Sequence, residues 1–200
     1  MTAPHRVAAI DCGTNSVRLL VAEASDAGFT ELARDLRITR LGQGVDAAGE
    51  FHQDALTRTF AACDEYAAVL ADLGVERVRF AATSAARDAR NREAFYAGVR
   101  ERLGVTPEII SGAEEAELSF TGALTANPDA DVPALVMDIG GGSTELVLGR
   151  PGRIARGISQ YSALDVRRIA RRHSRDIEAI LGYNYGGNVI HRDDLVLLQD

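Results

Sequence analysis

Tryptophan is absent from this 200-residue sequence, and cysteine and methionine occur only twice each. The two cysteines, Cys12 and Cys63, are too few for a disulfide framework, and neither has a partner at the spacing of a metal site. We therefore expect both to be small buried or turn residues. The four histidines likewise share no spacing typical of a metal site or a nucleophilic dyad.

Long hydrophobic runs are also missing. No segment approaches the run of about 20 apolar residues that a membrane-spanning helix needs. Residues 1–6 contain no extended apolar stretch, so the sequence predicts no signal peptide. These absences lead us to expect a soluble, cytoplasmic protein with no membrane partner.

Positive charge is in short supply. The chain has 22 Lys and Arg against 29 Asp and Glu, which gives a formal net charge of −7. A general nucleic-acid-binding protein usually has the opposite balance, so we expect no nucleic-acid partner. A polyanionic substrate would have to be met by a local basic patch, because the global field repels it.

The first part of the chain reads as a three-stranded antiparallel meander. Apolar strands are predicted at residues 7–10, 17–22 and 29–38. The turn between the first two contains Gly13 and Asn15, which adopt a positive φ at little cost.

Helical periodicity then replaces the strand pattern. Apolar residues recur near a period of 3.6 and predict a helix that is capped by Asp54 and ends at Gly74. Further segments follow in alternation: a strand at 75–82, a helix at 92–103, a strand at 108–110 and a helix at 111–124. The proline-containing loop 125–133 predicts a domain boundary, with one domain at 1–125 and a second at 126–200.

After this loop the first hairpin recurs. A strand at 134–137, a turn that begins with Asp138 and a strand at 145–148 repeat the earlier pattern. A shift of 127 positions places Asp11 on Asp138, Gly13 on Gly140 and Ser16 on Ser143 without a gap. One such turn is common in ordinary hairpins, whereas two matched copies indicate an internal repeat.

The chemistry of the repeated turn suits phosphate. Glycines let backbone N–H groups approach an anion closely, and a nearby hydroxyl adds a donor. A carboxylate would repel phosphate unless it held a divalent cation, which is the role we predict for Asp11 and Asp138. Two such loops facing each other would clamp consecutive phosphates. The alternative is that both are merely tight hairpins.

Four motifs carry a resemblance to a known family. They lie at residues 9–16, 82–89, 110–116 and 137–145. In order and spacing they resemble the phosphate-binding hairpins of the actin, Hsp70 and sugar-kinase superfamily, and within it the exopolyphosphatase and guanosine pentaphosphate phosphohydrolase family. The resemblance implies an α/β, actin-like ATPase (ribonuclease H-like) fold, with mixed sheets and flanking helices.

The resemblance also implies an activity. Members of the family release terminal phosphate from inorganic polyphosphate, and some act on guanosine pentaphosphate, with a requirement for Mg²⁺. Either compound is a candidate substrate here. The phosphate-binding residues that the resemblance places on the two loops are Gly13, Thr14, Asn15, Ser16, Gly140, Gly141, Gly142, Ser143 and Thr144.

Glu115 is the predicted general base. Ser111 and Glu114 have the spacing of a capping box, which gives Glu114 a structural role and leaves Glu115 to project from the first helical turn. The catalytic glutamate of the family is the second of the Glu-Glu pair, which is Glu115 in this sequence. The alternative is an acid that complements the helix dipole.

Two further residues receive roles from the resemblance. Arg87 would stabilise charge on the transferring phosphoryl group, or it is a surface loop arginine. Glu145 would order the metal or water, or it is an outward-facing strand residue. Arg18, Arg37 and Arg40 would add positive charge near the first loop, although each is individually typical of ordinary surface.

The pattern weakens beyond Gly152. Residues 153–200 are atypical for the family, so the second half-domain is predicted to be incomplete, and a homodimer is one way to complete it. The basic run at 167–175 reads as a solvated helix or as a track for polyphosphate. Two alternative functions follow: a phosphate-binding protein without catalysis, and an actin-like or sugar-kinase-type ATPase.

Overall fold

The computed structural model describes residues 5–26, 28–125, 134–141, 144–150, 152–159 and 179–183. These residues belong to two compact units, 1–110 and 111–200. The units divide before the helix at Gly112–Thr125, whereas the sequence placed the boundary after it. That helix belongs to the second unit because its buried side chains pack against strands of that unit.

The first unit is built on a five-stranded mixed sheet. The strands are β1 (His5–Cys12), β2 (Ser16–Ser25), β3 (Gly28–Ile38), β4 (Arg77–Ala82) and β5 (Glu108–Ile109). Their order in the sheet is β3-β2-β1-β4-β5. The first three strands pair antiparallel, which confirms the predicted meander, and β4 and β5 add in parallel.

Four helices accompany this sheet: α1 (Val45–Ala48), α2 (Gln53–Asp72), α3 (Ser84–Asp88) and α4 (Arg92–Leu103). The sequence predicted α2 and α4 and missed the two short helices, which have too few residues to show a period. Gly74 follows the end of α2 at a φ of 60°, and its N–H and that of Val75 bond to carbonyls of the last turn, as predicted for a C-terminal glycine.

The predicted cap of α2 is wrong. The N-cap is His52, whose Nδ1 accepts a hydrogen bond from the backbone N–H of Asp54 at 3.2 Å. Asp54 lies within the first turn instead, where its carboxylate complements the helix dipole. Histidine is not among the favoured N-cap residues, so the sequence predicted the nearby Asp54 as the cap.

The core of the first unit lies between one sheet face and the helices. Ile10, Leu19 and Phe80 are each 1% exposed and pack with Tyr66 of α2 and Phe95 of α4. Burial of each large apolar side chain contributes about 1.5–3 kcal/mol. The Tyr66 hydroxyl donates to the carbonyl of Val17 at 2.8 Å, which satisfies its polar end.

The second unit combines one described helix with a four-stranded sheet. Its elements are α5 (Gly112–Thr125), β6 (Ala134–Ile139), β7 (Thr144–Arg150), β8 (Arg153–Ser159) and β9 (Ala179–Tyr183). The strand order is β8-β7-β6-β9. Strands β6, β7 and β8 pair antiparallel, and β9 joins β6 in parallel.

The two sheets repeat one topology and one register. In each unit the first hairpin strand pairs antiparallel with its neighbour and parallel with a later strand. Asp11 lies opposite Arg18, and Asp138 lies opposite Glu145, so a shift of 127 positions relates both members of the two pairs. The predicted internal repeat is therefore confirmed in the strand pairing.

Helix α5 packs closely on the sheet of the second unit. Ala116 and Phe120 join a buried cluster with Val136 and Val147. At Gly149 an added Cβ would stand 2.7 Å from the carbonyl oxygen of Arg153 and 2.8 Å from Cζ of Phe120. Glycine is needed at this position because the backbone and the helix leave no room for a side chain.

Two expectations about composition can be checked directly. Cys12 and Cys63 are both buried and free, as predicted. Within the described ranges, no helix has both the length and the apolar character needed to cross a bilayer.

Candidate active site

Residues 11–16, here called loop 1, form the first hairpin turn. The N–H of Gly13 donates to the carbonyl of Ser16 at 2.9 Å, which closes the turn. Neither Gly13 nor Asn15 adopts a positive φ, so that expectation is wrong. An added Cβ at Gly13 would meet only the Ser16 carbonyl oxygen, at an ordinary 3.6 Å. The fold therefore does not require glycine here, and its absent side chain leaves the backbone open to a ligand.

A second segment, residues 39–42, holds loop 1 from the side. The N–H groups of Thr39 and Arg40 both donate to the carbonyl of Asn15, at 3.0 and 2.9 Å. The N–H of Gly42 donates to the carbonyl of Thr14 at 2.8 Å. Two carbonyls of loop 1 are thus fixed by one neighbouring segment.

Loop 1 is also tied to the start of α3. The hydroxyls of Thr14 and Ser84 lie 2.7 Å apart and share a hydrogen bond. The N–H of Thr83 donates to the carbonyl of Cys12 at 3.2 Å. These bonds bring the second sequence motif to the first.

Arg87 lies in α3 and is half-buried, so it is not a surface loop residue. Its Nη1 donates to the carbonyl of Ile110 at 2.9 Å. This bond uses one edge of the planar guanidinium, which carries five N–H donors in all. The side chain therefore has an anchored orientation.

Asp11 is the last but one residue of β1 and has a half-exposed side chain. Its Oδ2 lies 3.9 Å from Nη1 of Arg18, directly across the hairpin. An ion pair that is this exposed contributes little to stability. The pairing instead places a carboxylate and a cation next to each other where β1 and β2 join loop 1.

The corresponding turn of the second unit, residues 138–143, is called loop 2. The structure describes Asp138 to Gly141, and Gly140 and Gly141 are exposed. Gly142 and Ser143 lie outside the described residues, and Thr144 begins β7. The predicted phosphate-binding roles of these residues stay predictions.

The carboxylate of Asp138 is held by helix α5. Ser119 Oγ donates to Asp138 Oδ2 at 2.7 Å. Glu115 lies four residues before Ser119, on the same face of the helix and one turn nearer its start. The helix therefore presents Glu115 on the side that faces Asp138.

The predicted N-cap of α5 is confirmed. Ser111 Oγ accepts a hydrogen bond from the N–H of Glu114 at 3.2 Å, and the Ser111 carbonyl accepts one from the N–H of Glu115 at 2.9 Å. Both glutamates lie in the first helical turn, where the helix dipole favours negative charge.

Glu145 is buried, with only 2% of its surface exposed. It stands opposite Asp138 in the β6–β7 ladder, and it shares its sheet face with Val147, which packs against α5. The alternative of an outward-facing strand residue is therefore wrong. A buried carboxylate needs polar partners, and the role predicted for Glu145 stays a prediction.

The ligand chemistry of these residues fits magnesium. Among the residues that the structure describes, no group of three or more His, Cys, Asp and Glu side chains is placed to hold a metal ion. Mg²⁺ does not require one, because it is commonly bound through one or two carboxylates together with substrate phosphates and water. Asp11 in the first unit presents a carboxylate of this kind, and the Ser119-bound Asp138 presents one in the second unit.

Sequence reasoning missed three contributors to the site: Ser84, Ser119 and the segment 39–42. Each acts on a predicted residue from a distant point in the chain. The only available signal was the position of Ser84 within the second motif.

Comparison with known proteins gives a consistent picture. A family model described as the Ppx/GppA phosphatase family matches residues 20–163. The chain is 52% identical over 168 residues to exopolyphosphatase 2 of Mycobacterium tuberculosis, a match that covers 79% of this chain and 51% of the relative. The chain thus spans about half the length of that curated relative.

A shorter match points elsewhere. A 45-residue stretch is 80% identical to glutamate 5-kinase of Xanthomonas oryzae, covering 22% of this chain and 12% of that relative. So short a share of the kinase carries no argument about activity.

Solved structures agree on the fold. An exopolyphosphatase-like protein superimposes with a TM-score of 0.79 at 36% identity, over 90% of this chain and 66% of its own. The Aquifex aeolicus member of the Ppx/GppA protein family gives a TM-score of 0.71 at 28% identity, over the same shares of the two chains. The ethanolamine utilization protein EutJ of Carboxydothermus hydrogenoformans, at 14% identity and a TM-score of 0.51, shares the fold alone.

Proposed function

The chain belongs to the Ppx/GppA phosphatase family and has its actin-like α/β fold, and on that premise we propose that it hydrolyses terminal phosphoanhydride bonds of inorganic polyphosphate. The relatives named exopolyphosphatase support this substrate. Guanosine pentaphosphate offers the same type of bond and is the second substrate to be tested.

The observation that carries the proposal is the duplicated hairpin. Two glycine-bearing turns follow strands of identical register, and each begins with an aspartate, Asp11 or Asp138. Phosphoryl transfer depends mainly on positioning and on neutralisation of charge. A repeated combination of backbone donors and a metal-binding carboxylate suits this task better than it suits two plain turns.

Loop 1 and loop 2 are assigned the binding of phosphate oxygens. In loop 1 the carbonyls of Thr14 and Asn15 are bound by segment 39–42. The Thr14 hydroxyl is oriented by Ser84. Because these groups are fixed before substrate arrives, little ordering is required when an anion binds. Loop 2 is assigned the same role on the basis of the repeat.

Glu115 is assigned the role of general base. A water oxygen attacks the terminal phosphorus, a water proton passes to the carboxylate of Glu115, and the bond from phosphorus to the bridging oxygen breaks. The products are orthophosphate and a polyphosphate chain shorter by one phosphate. A positioned base of this kind contributes about 10²- to 10⁴-fold to the rate.

Asp11 and Asp138 are assigned to magnesium. When bound, Mg²⁺ neutralises phosphate charge and so favours attack by water. Ser119 fixes one oxygen of Asp138 and leaves the other available. Glu145, buried opposite Asp138, is assigned to order the metal or a water.

Arg87 is assigned to the transferring phosphoryl group. Its bond to the carbonyl of Ile110 orients the guanidinium, which is assigned to stabilise the charge that develops during transfer. Hydrogen bonds to charged groups contribute about 1.5–3 kcal/mol.

A second candidate function is phosphate binding without hydrolysis. The two glycine-bearing turns would suffice for it without a general base. The ATPase alternative has no comparable support. A cytoplasmic location and a homodimer stay predictions.

The deciding experiment is a phosphate-release assay on the 200-residue chain with polyphosphate and Mg²⁺. We expect steady release of orthophosphate that stops when a chelator removes the metal. Guanosine pentaphosphate, tested in parallel, ranks the two substrates. Isothermal titration that shows polyphosphate binding while no phosphate is released would select the non-catalytic function.

A further inference from the structure

Five arginines lie on or near loop 1 and its supporting segment, and most of them already have partners. Arg18 pairs with Asp11, Arg37 with Asp35 and Glu65, Arg58 with the Thr39 carbonyl and Gln43, and Arg87 with the Ile110 carbonyl. The fifth is Arg40, whose guanidinium has no ion pair or hydrogen bond within the part of the chain that the structure describes.

Arg40 also has an unusual backbone. Among the described residues it is the one non-glycine residue with a positive φ, at 51°. Arginine gains nothing intrinsically from this left-handed conformation, which is normally occupied by glycine or asparagine. The conformation is maintained because the N–H of Arg40 donates to the carbonyl of Asn15 at 2.9 Å.

The residues on either side fix the position of Arg40. Thr39 and Leu41 are 2% and 0% exposed, whereas Arg40 between them is exposed. Arg58 additionally binds the carbonyl of Thr39 through Nε at 2.8 Å. The side chain of Arg40 therefore extends into solvent beside loop 1. Its backbone is held in place by the hydrogen bonds of Thr39 and Arg40.

We propose that Arg40 is a substrate-binding residue that contacts an internal phosphate of the polyphosphate chain, next to the terminal phosphate held by loop 1. The inference rests on the proposed function. The backbone of Arg40 is bonded to loop 1, so we expect its side chain to lie beside the phosphate that loop 1 binds. A substrate with a single phosphate has no group for this cation, whereas polyphosphate always has one.

The role assigned to Arg40 is binding rather than chemistry. Its charge attracts the chain equally before and during transfer, so its removal is expected to raise KM and leave kcat nearly unchanged. The net charge of −7 makes such a local cation more important, because the rest of the molecule repels the substrate.

The test compares three variants of the 200-residue chain in polyphosphate hydrolysis, measured at two salt concentrations. Arg40→Asn removes the charge and keeps a residue that tolerates a positive φ. Arg40→Lys keeps the charge. Arg100→Asn removes one exposed charge from the last turn of α4, where the described side-chain contact is with Thr106 and not with loop 1, and serves as the matched control.

We expect Arg40→Asn to raise KM about 5- to 20-fold at about 50 mM salt, with kcat within about twofold of the parent chain. The difference in KM should shrink at about 200 mM salt. The contact between Arg40 and phosphate gains from the release of counterions, and this gain is smaller at higher salt. Arg40→Lys should recover most of the affinity, and Arg100→Asn should behave as the parent chain.

Three outcomes would overturn the proposal: an unchanged KM in Arg40→Asn, an equal loss in Arg100→Asn, or a loss of kcat that parallels a loss of thermal stability. If the parent chain releases no phosphate, the proposed hydrolysis fails separately. The same variants are then compared by titration with polyphosphate, where equal affinities of Arg40→Asn and the parent chain reject the role of Arg40.

Discussion

Ser119 donates a hydrogen bond to Asp138 across 2.7 Å and so joins helix α5 to the end of strand β6. The bond fixes one carboxylate oxygen of the residue that begins loop 2. Glu115 lies one turn earlier on the same face of the helix. The predicted base and the positioning residue of the predicted metal ligand thus share one face of α5.

The first prediction concerns this bond. Ser119→Ala should lower kcat for polyphosphate about tenfold, because Asp138 loses the donor that orients it, and a misplaced metal ligand affects the rate strongly. The free energy of unfolding should fall by only about 1 kcal/mol. Steady-state kinetics and urea unfolding measure the two effects.

A matched control lies six residues further along the same helix. Thr125 bonds only to the carbonyl of Thr121 through its hydroxyl among the contacts described, so Thr125→Ala removes a helix hydroxyl without touching Asp138. Activity of Ser119→Ala equal to that of Thr125→Ala would contradict the positioning role of Ser119.

The second prediction separates the two adjacent glutamates. Glu115→Gln should reduce turnover by at least about 10²-fold, because the amide cannot accept the proton of the attacking water. Its thermal stability should change little, since a charge at a helix start contributes under about 1 kcal/mol. Phosphate release and thermal unfolding are measured on the same preparation.

Glu114→Gln is the control, since glutamine preserves the shape and the hydrogen-bonding capacity of a residue at the third position of a capped helix. Its activity should stay within about threefold of the parent chain. A larger loss in Glu114→Gln than in Glu115→Gln would transfer the catalytic role to Glu114.

The third prediction uses Gly13. A methyl group at this position meets only the Ser16 carbonyl at 3.6 Å, and the residue has no positive φ. Gly13→Ala should therefore leave stability unchanged or raise it by about 0.4–1 kcal/mol. It should nevertheless weaken polyphosphate binding at least about tenfold, because the methyl group occupies the approach to the backbone donors.

For comparison, Gly122 lies in α5 with open space where a Cβ would project, and Gly122→Ala should stabilise the chain by a similar amount without any loss of binding. Equal binding by the two variants would show that loop 1 does not contact substrate at Gly13.

The fourth prediction concerns alkaline pH. Burial raises the pKa of the Cys63 thiol to about 12, and burial, with smaller contributions from neighbouring charges, raises the pKa of Cys12 well above its ordinary value. In the unfolded chain both thiols ionise near pH ~8.5. Above that pH the unfolded state loses protons that the folded state keeps, so the free energy of unfolding falls as pH rises.

The slope reaches about 1.4 kcal/mol per pH unit for each thiol. Urea unfolding between about pH 8 and pH 9.5 measures it before tyrosine ionisation contributes. The double variant Cys12→Ala, Cys63→Ala should be less stable at neutral pH because of the lost packing, but its dependence on pH in this range should be much flatter. Parallel curves for the two proteins would show that the thiols are not responsible.

Much of the fold was predictable because its signals are local. The meander, α2, α4 and the capped α5 follow from alternation, helical period and terminal residues. The short helices α1 and α3 were not predictable, because four or five residues show no period. The His52 cap was missed because it depends on one side-chain bond rather than on residue preference.

The site was predictable only where it repeats or resembles a family. Asp11 and Asp138 stood out because the two copies align, and their common register is confirmed. Ser119 was not identified because its contact joins residues 19 positions apart through the packing of a helix on a sheet. The left-handed backbone of Arg40 was unpredictable, since nothing in arginine favours it.

The common register of the two hairpins has a consequence for protein engineering. A uniform displacement maps the pairs from Val7↔Ala22 to Cys12↔Val17 onto those from Ala134↔Gly149 to Ile139↔Thr144, so the two hairpins can be exchanged in register. The exchange has to keep glycine at position 149, because the first hairpin carries Ala22 there and the second unit has no room for a Cβ. A chimera with two second-type hairpins would carry glutamate where the first carries Arg18, and a chimera with two first-type hairpins would carry arginine in place of Glu145. The activity of such chimeras would show whether each hairpin needs its own residue at this position, arginine in the first and glutamate in the second.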